Sequence, residues 1–305
     1  MSGLWAGVDI GASKTLVVLC DDGGVEVADA AVPTDAAHSG GESILDTAAQ
    51  LIAQLVAGAE LSGVGVGAAG VIDDIAGLVV ATGDSFTGWA GTAINAGLSA
   101  RLGGVPVRAD NDVNALLLGE LSESGDVRQA LGITLGTGVG GALLVDGRLL
   151  HGEGNTAGEI GHIGRFGDAP CTCGQRGHLE AYASGRSLSR RYTEATGRNL
   201  SAADVAAAAS AGDVDAAAVY EEAGRYLGVT IAQTGGLLGL GLAILGGSVT
   251  RSWPLLEKSV QRALDEQPLL SGNPVTVRLS RLGAKAVALG AIELVRPRLV
   301  RPRSG

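Results

Sequence analysis

Apolar runs of strand length alternate with short turns at the start of the chain. Leu4–Ile10 and Thr15–Cys20 are apolar, and the glycine-initiated turn of residues 11–14 separates them. A second turn, Asp21-Asp22-Gly23-Gly24, follows directly. Apolar runs bounded by turn residues are typical of strands, so this pattern predicts a β-hairpin.

The same pattern returns in the middle of the chain. Leu131–Leu135 reads as a strand, the glycine-rich stretch 136–141 as a turn, and Ala142–Val145 as a second strand that ends at Asp146-Gly147. Two hairpins of this kind, each followed by alternating helix and strand patterns, predict two similar α/β lobes.

Longer amphipathic runs supply the helices. Ile44–Val56 has helical spacing of its apolar residues, and Val64–Ala68 reads as a strand. The pattern predicts further strands over Val105–Val107 and Leu242–Leu245, a helix ending at Leu121, and helices over Ala216–Gln233, Trp253–Ala263 and Ala284–Val295. We therefore expect a small N-terminal lobe of residues 1–115, completed by the C-terminal helix of residues 284–303, and a large lobe of residues 116–283.

Composition limits the classes of partner. With 305 residues, 46% of them hydrophobic, the chain can form two domains with sizeable cores. Thirty-two acidic residues against 22 basic ones give a net charge of −10, which argues against a nucleic-acid partner. The arginines between Arg296 and Arg303 form only a small basic tail, expected to be a frayed terminus.

The sequence predicts neither secretion nor membrane insertion. Asp9 interrupts the first apolar run, and no apolar stretch reaches the length of a membrane-spanning helix. Cys20 has no evident disulfide partner, since Cys171 and Cys173 are candidate metal ligands. A reducing, cytoplasmic location is therefore expected.

Two of the three cysteines and two of the four histidines fall in one short stretch. His162, Cys171, Cys173 and His178 have the spacing His-x8-Cys-x-Cys-x4-His. Thiolate and imidazole are the ligands that zinc prefers, so the sequence predicts one structural zinc ion in the loop 162–178. The alternative is a pair of buried free thiols and two unrelated histidines.

Both glycine-rich turns are candidates for phosphate binding, because amide groups without neighbouring side chains can approach phosphate oxygens closely. The candidates are Gly11, Ser13 and Lys14 in the first turn, and Gly136, Thr137 and Gly138 in the second. Either turn alone could be an ordinary hairpin. A Walker A loop is absent because Lys14 follows Ser13, and a dinucleotide fold is excluded because the turns lead into strands.

Carboxylates stand near the ends of two predicted strands. Asp9 precedes the first turn and could hold Mg²⁺ against nucleotide phosphates, or it could initiate the turn by bonding the backbone. Asp110, Asn111, Asp112 and Asn114 begin a predicted helix. Capping a helix needs one such residue, so the surplus favours a site that binds hydroxyl groups.

Five motifs in this order resemble the ROK family (repressor, open reading frame, kinase) of the actin-like ATPase superfamily, whose fold is ribonuclease H-like. The resemblance covers nearly the whole chain. The motifs are Asp9-Ile10-Gly11-Ala12-Ser13-Lys14-Thr15, Asn111-Asp112-Val113-Asn114-Ala115, Leu135-Gly136-Thr137-Gly138-Val139-Gly140-Gly141, Gly158-Glu159-Ile160-Gly161-His162 and Cys171-x-Cys173-Gly174-x-x-Gly177-His178-x-Glu180.

The resemblance implies roles for these residues in phosphoryl transfer from ATP, with Mg²⁺, to a sugar hydroxyl. Asp112 would be the general base. The implied sugar-binding residues are Gly70, Asn111, Asp112, Glu159, His162 and Glu180. The implied nucleotide-binding residues are Asp9, Gly11, Ser13, Lys14, Gly136, Thr137, Gly138, Gly246 and Gly247. His162 would serve both zinc and sugar through its two ring nitrogens.

Three departures from the family pattern affect the substrate more than the reaction. His178 stands where a third cysteine is usual, which makes the zinc site Cys2His2. Ala68-Ala69-Gly70 replaces the usual Ala-Pro-Gly, and Ser85-Phe86-Thr87-Gly88-Trp89 replaces Asn-Leu-Pro-Gly-Trp. Ser85 in place of the asparagine could change which sugar fits.

The predicted function is phosphorylation of a hexose, with glucose as the favoured acceptor. The resemblance also implies a homodimer. The alternatives are a kinase of N-acetylmannosamine, N-acetylglucosamine or fructose, and a sensor without catalytic activity. A transcriptional repressor of this family would carry a DNA-binding domain before the first motif, and only eight residues precede Asp9.

Overall fold

The computed structural model describes residues 3–122, 124, 127–269, 272 and 274–296. Its strands are β1 (Leu4–Ile10), β2 (Lys14–Cys20), β3 (Glu26–Pro33), β4 (Leu61–Ala68), β5 (Val71–Asp73), β6 (Leu78–Ala81), β7 (Val107–Asn111), β8 (Ala130–Leu135), β9 (Val139–Val145), β10 (Arg148–Leu149), β11 (Leu242–Gly246) and β12 (Thr276–Leu279).

The α-helices are α1 (Gly41–Val56), α2 (Ile94–Arg101), α3 (Asp112–Leu121), α4 (Glu180–Ala183), α5 (Gly185–Thr196), α6 (Ala202–Ser210), α7 (Val214–Leu238), α8 (Trp253–Glu266) and α9 (Ala286–Val295). Short 3-10 helices span Glu153–Asn155, Ile160–His162, Ser248–Ser252 and Gly283–Lys285. The predicted continuation of the last helix to residue 303, and the arginine tail beyond Arg296, lie outside the described residues. Across the described ranges, no helix combines the length and apolar character that crossing a bilayer requires.

The chain forms two compact units. The first comprises Met1–Gly125, His151–Thr156 and Ala284–Gly305, and the second comprises Asp126–Leu150 and Ala157–Gly283. The predicted boundary after residue 115 falls inside α3, whereas the whole helix belongs to the first unit. The reason is that α3 packs against α9, where a Cβ on Gly119 would come within 2.9 Å of the Ala286 carbonyl oxygen.

Each unit is built on a five-stranded mixed sheet of the same topology. The first sheet has the order β3-β2-β1-β4-β7, and the second has the order β10-β9-β8-β11-β12. In both, an antiparallel three-strand meander continues into two strands that are parallel to its first strand. The hairpins that the sequence predicts, β1–β2 and β8–β9, occupy equivalent places. The predicted duplication is therefore confirmed.

The two faces of the first sheet are built differently. Alternate residues such as Val8 and Val66 are fully buried in an apolar core that includes α1. On the opposite face, glycines allow α9 to lie directly on the strands. A Cβ on Gly7 would overlap the Ala288 carbonyl oxygen, and one on Gly65 would overlap that of Ala291. Backbone contact therefore fixes α9 on β1 and β4.

One strand extends further than its apolar pattern indicates. The sequence predicts a strand ending at Val107, but β7 continues to Asn111, which pairs with Ala68 of β4. Tertiary hydrogen bonds compensate for the polar residues of this extension: Asp110 is only 3% exposed and bonds three other groups. Asp112 therefore begins α3 directly at the end of a strand.

Because Gly65 has no room for a side chain, we predict that Gly65→Ala lowers the free energy of unfolding by about 1–3 kcal/mol or more. The steric conflict involves the Ala291 backbone, which cannot rotate away as a side chain would. Gly83→Ala is the matched control, because Gly83 is exposed and nothing lies within 4 Å of its Cβ position. Chemical denaturation measures both variants, and equal stabilities would contradict the close packing of α9.

Candidate active site

Four zinc-type ligands converge in the second unit. His162 Nδ1 lies 3.4 Å from His178 Nδ1 and 3.8 Å from Cys171 Sγ, and Cys173 Sγ lies 3.3 Å from His178 Nδ1. All four ligand atoms lie within 4.8 Å of one another. The structure therefore brings together the four residues that the sequence pattern selected.

These separations suit one tetrahedral zinc ion. Ligand bonds of about 2.0–2.3 Å require ligand atoms roughly 3.3–3.8 Å apart, and the three separations given above fall in this range. Burial raises the pKa of the Cys171 thiol above its usual value, and a bound zinc ion would counter this effect by stabilising the thiolate. The donor set is thus compatible with zinc and includes His178 in the place of a cysteine.

The cluster uses only one ring nitrogen of His162. Its Nδ1 faces the other ligands, whereas Nε2 lies 3.9 Å from Glu159 Oε2. Both side chains are partly exposed, Glu159 by 51%. The two ring nitrogens of His162 therefore face different groups, and the dual role in zinc and sugar binding stays a prediction.

The turn that carries Glu159 packs against β9 through backbone contacts. A Cβ on Gly141 would overlap the Gly158 carbonyl oxygen, and one on Gly161 would overlap that of Val139. Gly158 also has a φ of +92°, in the left-handed region that favours glycine. These glycines position Glu159 relative to the β8–β9 hairpin.

Glu180, the first residue of α4, is held from two sides. Its Oε2 accepts a 3.0 Å hydrogen bond from the Val139 amide, and its Oε1 accepts a 2.6 Å hydrogen bond from the Thr172 hydroxyl. Gly138 makes room for the carboxylate, since a Cβ there would lie 2.6 Å from Oε2. The carboxylate therefore touches both the metal loop and the second glycine turn.

The two glycine turns are tight hairpins. The Gly11 amide donates to the Lys14 carbonyl, and the Gly136 amide donates to the Gly138 carbonyl. These two N–H groups close their own turns, while Ser13 and Thr137 at the tips are exposed.

Gly247 lies close to the second turn. It follows β11, and a Cβ there would overlap the carbonyl oxygen of Leu135, the last residue of β8. Gly246 pairs with Thr134 of β8. The predicted phosphate and adenosine segments of the second unit are therefore neighbours.

Asp9 is a half-buried carboxyl group near the end of β1. Burial, reinforced by the nearby negative charge of Asp112, raises the pKa of Asp9 to about 7, and Lys14 partly opposes the shift. A divalent cation at this point would favour the ionised carboxylate. The structure thus brings Asp9, Lys14 and Asp112 close enough to interact electrostatically within the first unit.

The polar residues around Asp112 mostly bond one another. Asn111 caps α3 through Oδ1, which accepts from the Val113 and Asn114 amides, and its Nδ2 donates to the Gly70 carbonyl at 2.9 Å. The side-chain Nδ2 of Asn114 donates to Asp110 Oδ1 at 2.7 Å. The surplus of polar groups, interpreted as a hydroxyl-binding feature, is therefore largely structural. It fixes the helix start at Asp112, whose own Oδ1 accepts from the Val113 amide.

Gly70 is held in a conformation that favours glycine. Its φ is +113°, and its carbonyl accepts the bond from Asn111. The preceding Ala69 carbonyl accepts a 3.0 Å bond from the indole of the fully buried Trp89. This segment is therefore anchored without the usual proline.

Sequence reasoning missed a histidine in this unit. His151 Nε2 lies 2.8 Å from the buried Asp110 Oδ2, and its Nδ1 lies 3.6 Å from Asp74 Oδ2. The hydrogen bond to Asp110 is the largest cause that raises the pKa of His151. The residues are 41 positions apart, and no motif links them, so the sequence offered no signal for the pair.

Comparisons with known proteins fit these motifs. Residues 5–298 match the ROK family. The chain belongs to the ROK family. It is 32% identical over 321 residues to the glucokinase of Halalkalibacterium halodurans. This alignment covers 97% of this chain and 96% of that protein. It is also 30% identical over 276 residues to the N-acetyl-D-glucosamine kinase of Salmonella paratyphi B, which covers 85% of this chain and 88% of that protein.

A solved ROK structure shares the fold. The ROK family glucokinase of Streptomyces griseus, crystallised with glucose and AMPPNP, superposes with a TM-score of 0.82 at 29% identity and covers 96% of this chain and 99% of that one. The predicted actin-like, two-lobed α/β fold and the ROK resemblance are both confirmed.

We predict that His151→Leu lowers the free energy of unfolding by about 1–3 kcal/mol, since it removes a charge-assisted bond to buried Asp110. Because folding raises the pKa of His151, its ionic contribution is fully present below its unfolded pKa and is lost as pH rises through the folded value. The deficit of the variant should therefore be larger at pH 5.5 than at pH 9.

Denaturation at both pH values measures this difference against the wild-type protein. His38→Leu is the control, because His38 is exposed and pairs only with Asp35, three residues earlier. An equal deficit of His151→Leu at both pH values would argue against the ionic part of the Asp110 contact.

Proposed function

We propose that this protein transfers the terminal phosphoryl group of ATP to glucose, giving glucose 6-phosphate, with Asp112 as the general base. The observation that carries the proposal is full-length similarity to glucokinases together with an acidic residue at the start of α3. Membership of the family and full-length kinase relatives show that the chain is a sugar kinase.

The role of Asp112 follows from the chemistry. A sugar hydroxyl is a weak nucleophile, and a carboxylate placed beside it accepts its proton as the phosphoryl group arrives. Asp112 is only partly exposed, and the Asn111 cap and the backbone contacts of α3 hold its position. A fixed carboxylate of this kind suits a general base.

Phosphate binding is assigned to the glycine turns. The assigned residues are Gly11, Ser13 and Lys14 in the first unit, and Gly136, Thr137 and Gly138 in the second. The amides of Gly11 and Gly136 close the turns, so the remaining amide groups and the Lys14 ammonium group would contact the anionic oxygens. Gly246 and Gly247 are assigned to the adenosine. Asp9 would hold Mg²⁺, whose charge neutralises the transferring phosphate.

Sugar binding is assigned to carboxylates, an amide and an imidazole. Glu159 and Glu180 accept hydrogen bonds from hydroxyl groups, and the Nε2 atom of His162 faces away from the metal ligands. Asn111 and Gly70 are also assigned to the sugar. Because the Asn111 side chain donates a hydrogen bond to the Gly70 carbonyl, we propose that the two residues contact the sugar together.

A second acceptor class is supported by a specific observation. An N-acetyl-D-glucosamine kinase matches at 30% identity, close to the value for the glucokinase. The chain also has Ser85 where the family has asparagine. N-acetylglucosamine, N-acetylmannosamine and fructose are therefore the alternative acceptors. A non-catalytic sensor fits less well, because Asp112 is present.

Zinc has a structural role in this proposal. His162, Cys171, Cys173 and His178 would hold the ion and fix the loop between Glu159 and Glu180. The cytoplasmic location and the homodimer stay predictions from the sequence, as does the absence of nucleic-acid and membrane partners.

The test of the proposed reaction is ADP release from ATP and Mg²⁺ across glucose, mannose, fructose, allose, N-acetylglucosamine and N-acetylmannosamine. We expect the highest kcat/KM with glucose. A higher value with an N-acetylhexosamine would transfer the assignment to that acceptor, and no release with any sugar would reject the kinase proposal for this panel.

The same assay tests the base. Asp112→Asn should lower kcat by about 100-fold or more while glucose still binds, since proton acceptance contributes about that much. Asp265→Asn is the matched control, because Asp265 is an exposed residue of α8. Turnover of Asp112→Asn near the wild-type rate would exclude Asp112 as the base.

We predict about one zinc ion per chain after dialysis. Cys171→Ser should lower the zinc content and Tm, whereas His178→Cys should retain zinc because thiolate is also a good ligand. Cys20→Ala removes a buried thiol outside the cluster and should leave zinc content unchanged. Elemental analysis measures all four proteins. A zinc-free wild-type protein with full activity would contradict the site.

A further inference from the structure

Thr172 occupies the one position between the two cysteine ligands. The Cys171–Gly174 turn is closed by a 3.1 Å bond from the Gly174 amide to the Cys171 carbonyl. Thr172 lies at the tip of this turn, and its hydroxyl donates to Glu180 Oε1 at 2.6 Å. Any metal that holds Cys171 and Cys173 therefore also holds the threonine between them.

Glu180 has a second donor from another element. The amide of Val139, directly after the second glycine turn, donates to Oε2 at 3.0 Å. One donor thus binds each carboxylate oxygen. Two fixed donors leave a carboxylate with little rotational freedom, while its remaining lone pairs can still accept hydrogen bonds.

We propose that Thr172 is a positioning residue that orients Glu180 for the sugar. The inference rests on the proposed function, in which Glu180 contacts the sugar. Without the hydroxyl, Glu180 keeps only the Val139 bond and can rotate about its side-chain torsions. Ordering it again on sugar binding would then reduce affinity.

This arrangement also assigns a task to the zinc loop. Protein contacts also hold this region, because Arg190 of α5 donates to the carbonyls of Pro170 and Ala181, on either side of residues 171–180. Zinc would fix the tip between these contacts, where Thr172 lies. The contact of Thr172 with Glu180 therefore explains why order at the tip matters for the sugar.

The test compares Thr172→Val, which keeps the branched shape and removes the hydroxyl, with Thr172→Ser, which keeps the hydroxyl. Thr172→Val should raise the sugar KM about tenfold, as expected for the loss of a hydrogen bond to a charged group. Its KM for ATP and its zinc content should stay near wild type. Thr172→Ser should restore the sugar KM. Thr47→Val, on α1 of the first unit, is the matched control.

Coupling to Glu180 separates positioning from a general structural effect. In a Glu180→Gln background, Thr172→Val should raise the sugar KM by less than twofold, because residues in one contact do not act additively. A full tenfold effect in that background would overturn the proposal. Loss of zinc from Thr172→Val and Thr172→Ser alike would also overturn it, since that result indicates a damaged loop.

The outcome is distinguishable from failure of the proposed function. A wild-type protein that releases ADP with a sugar, together with an unchanged KM in Thr172→Val, refutes the role of Thr172 alone. A wild-type protein without activity on any sugar refutes the proposed kinase reaction. In that case calorimetric binding of glucose and N-acetylglucosamine tests the same variants, and equal affinities, or no binding at all, refute the positioning role.

Discussion

Contact between backbones, possible only where side chains are absent, is the constraint on which both units depend. In the first unit, Gly7 and Gly65 bring α9 onto the sheet, and α9 in turn receives α3 at Gly119. Asp9 lies in β1 and Asp112 begins α3. The packing of α9 against both elements therefore determines how close the two carboxyl groups lie. In the second unit, Gly141 brings the Glu159 turn onto β9 in the same way. A backbone contact has no rotamers, which suits elements that must carry charged groups at fixed positions.

Backbone groups also connect the motifs of the second unit, through Val139 of β9. The Val139 amide donates a hydrogen bond to Glu180. The Val139 carbonyl packs so closely against Gly161 that a Cβ on Gly161 would overlap it. One residue after the glycine turn therefore touches both segments that the sugar assignment uses. Gly138 precedes β9, Gly141 lies in it, and Gly161 packs against it. The conformation of β9 therefore determines how the second glycine turn lies relative to Glu159 and Glu180.

The sequence was most informative where one local pattern determines the structure. The apolar run of β1 matches its bounds, and the His-x8-Cys-x-Cys-x4-His spacing identified four residues that do converge. It was least informative where a long-range bond offsets an unfavourable local choice. β7 runs through Asp110 because His151 and Asn114 satisfy a buried carboxylate, and residues so far apart leave no periodic trace. Thr172 was likewise invisible, since a threonine between two cysteines has no pattern until Glu180 is found beside it.

The replacement of a cysteine by His178 changes the charge next to these carboxylates. Zinc with two thiolates and two neutral imidazoles is formally neutral, whereas three thiolates would give −1. Glu159 lies 3.9 Å from a ring nitrogen of His162, and the charge of Glu180 acts on the Cys171 thiol. With zinc bound as proposed, the neutral site avoids repulsion that an anionic one would exert on both side chains. The histidine at position 178 therefore removes one negative charge from the surroundings of the two carboxylates that we assign to the sugar.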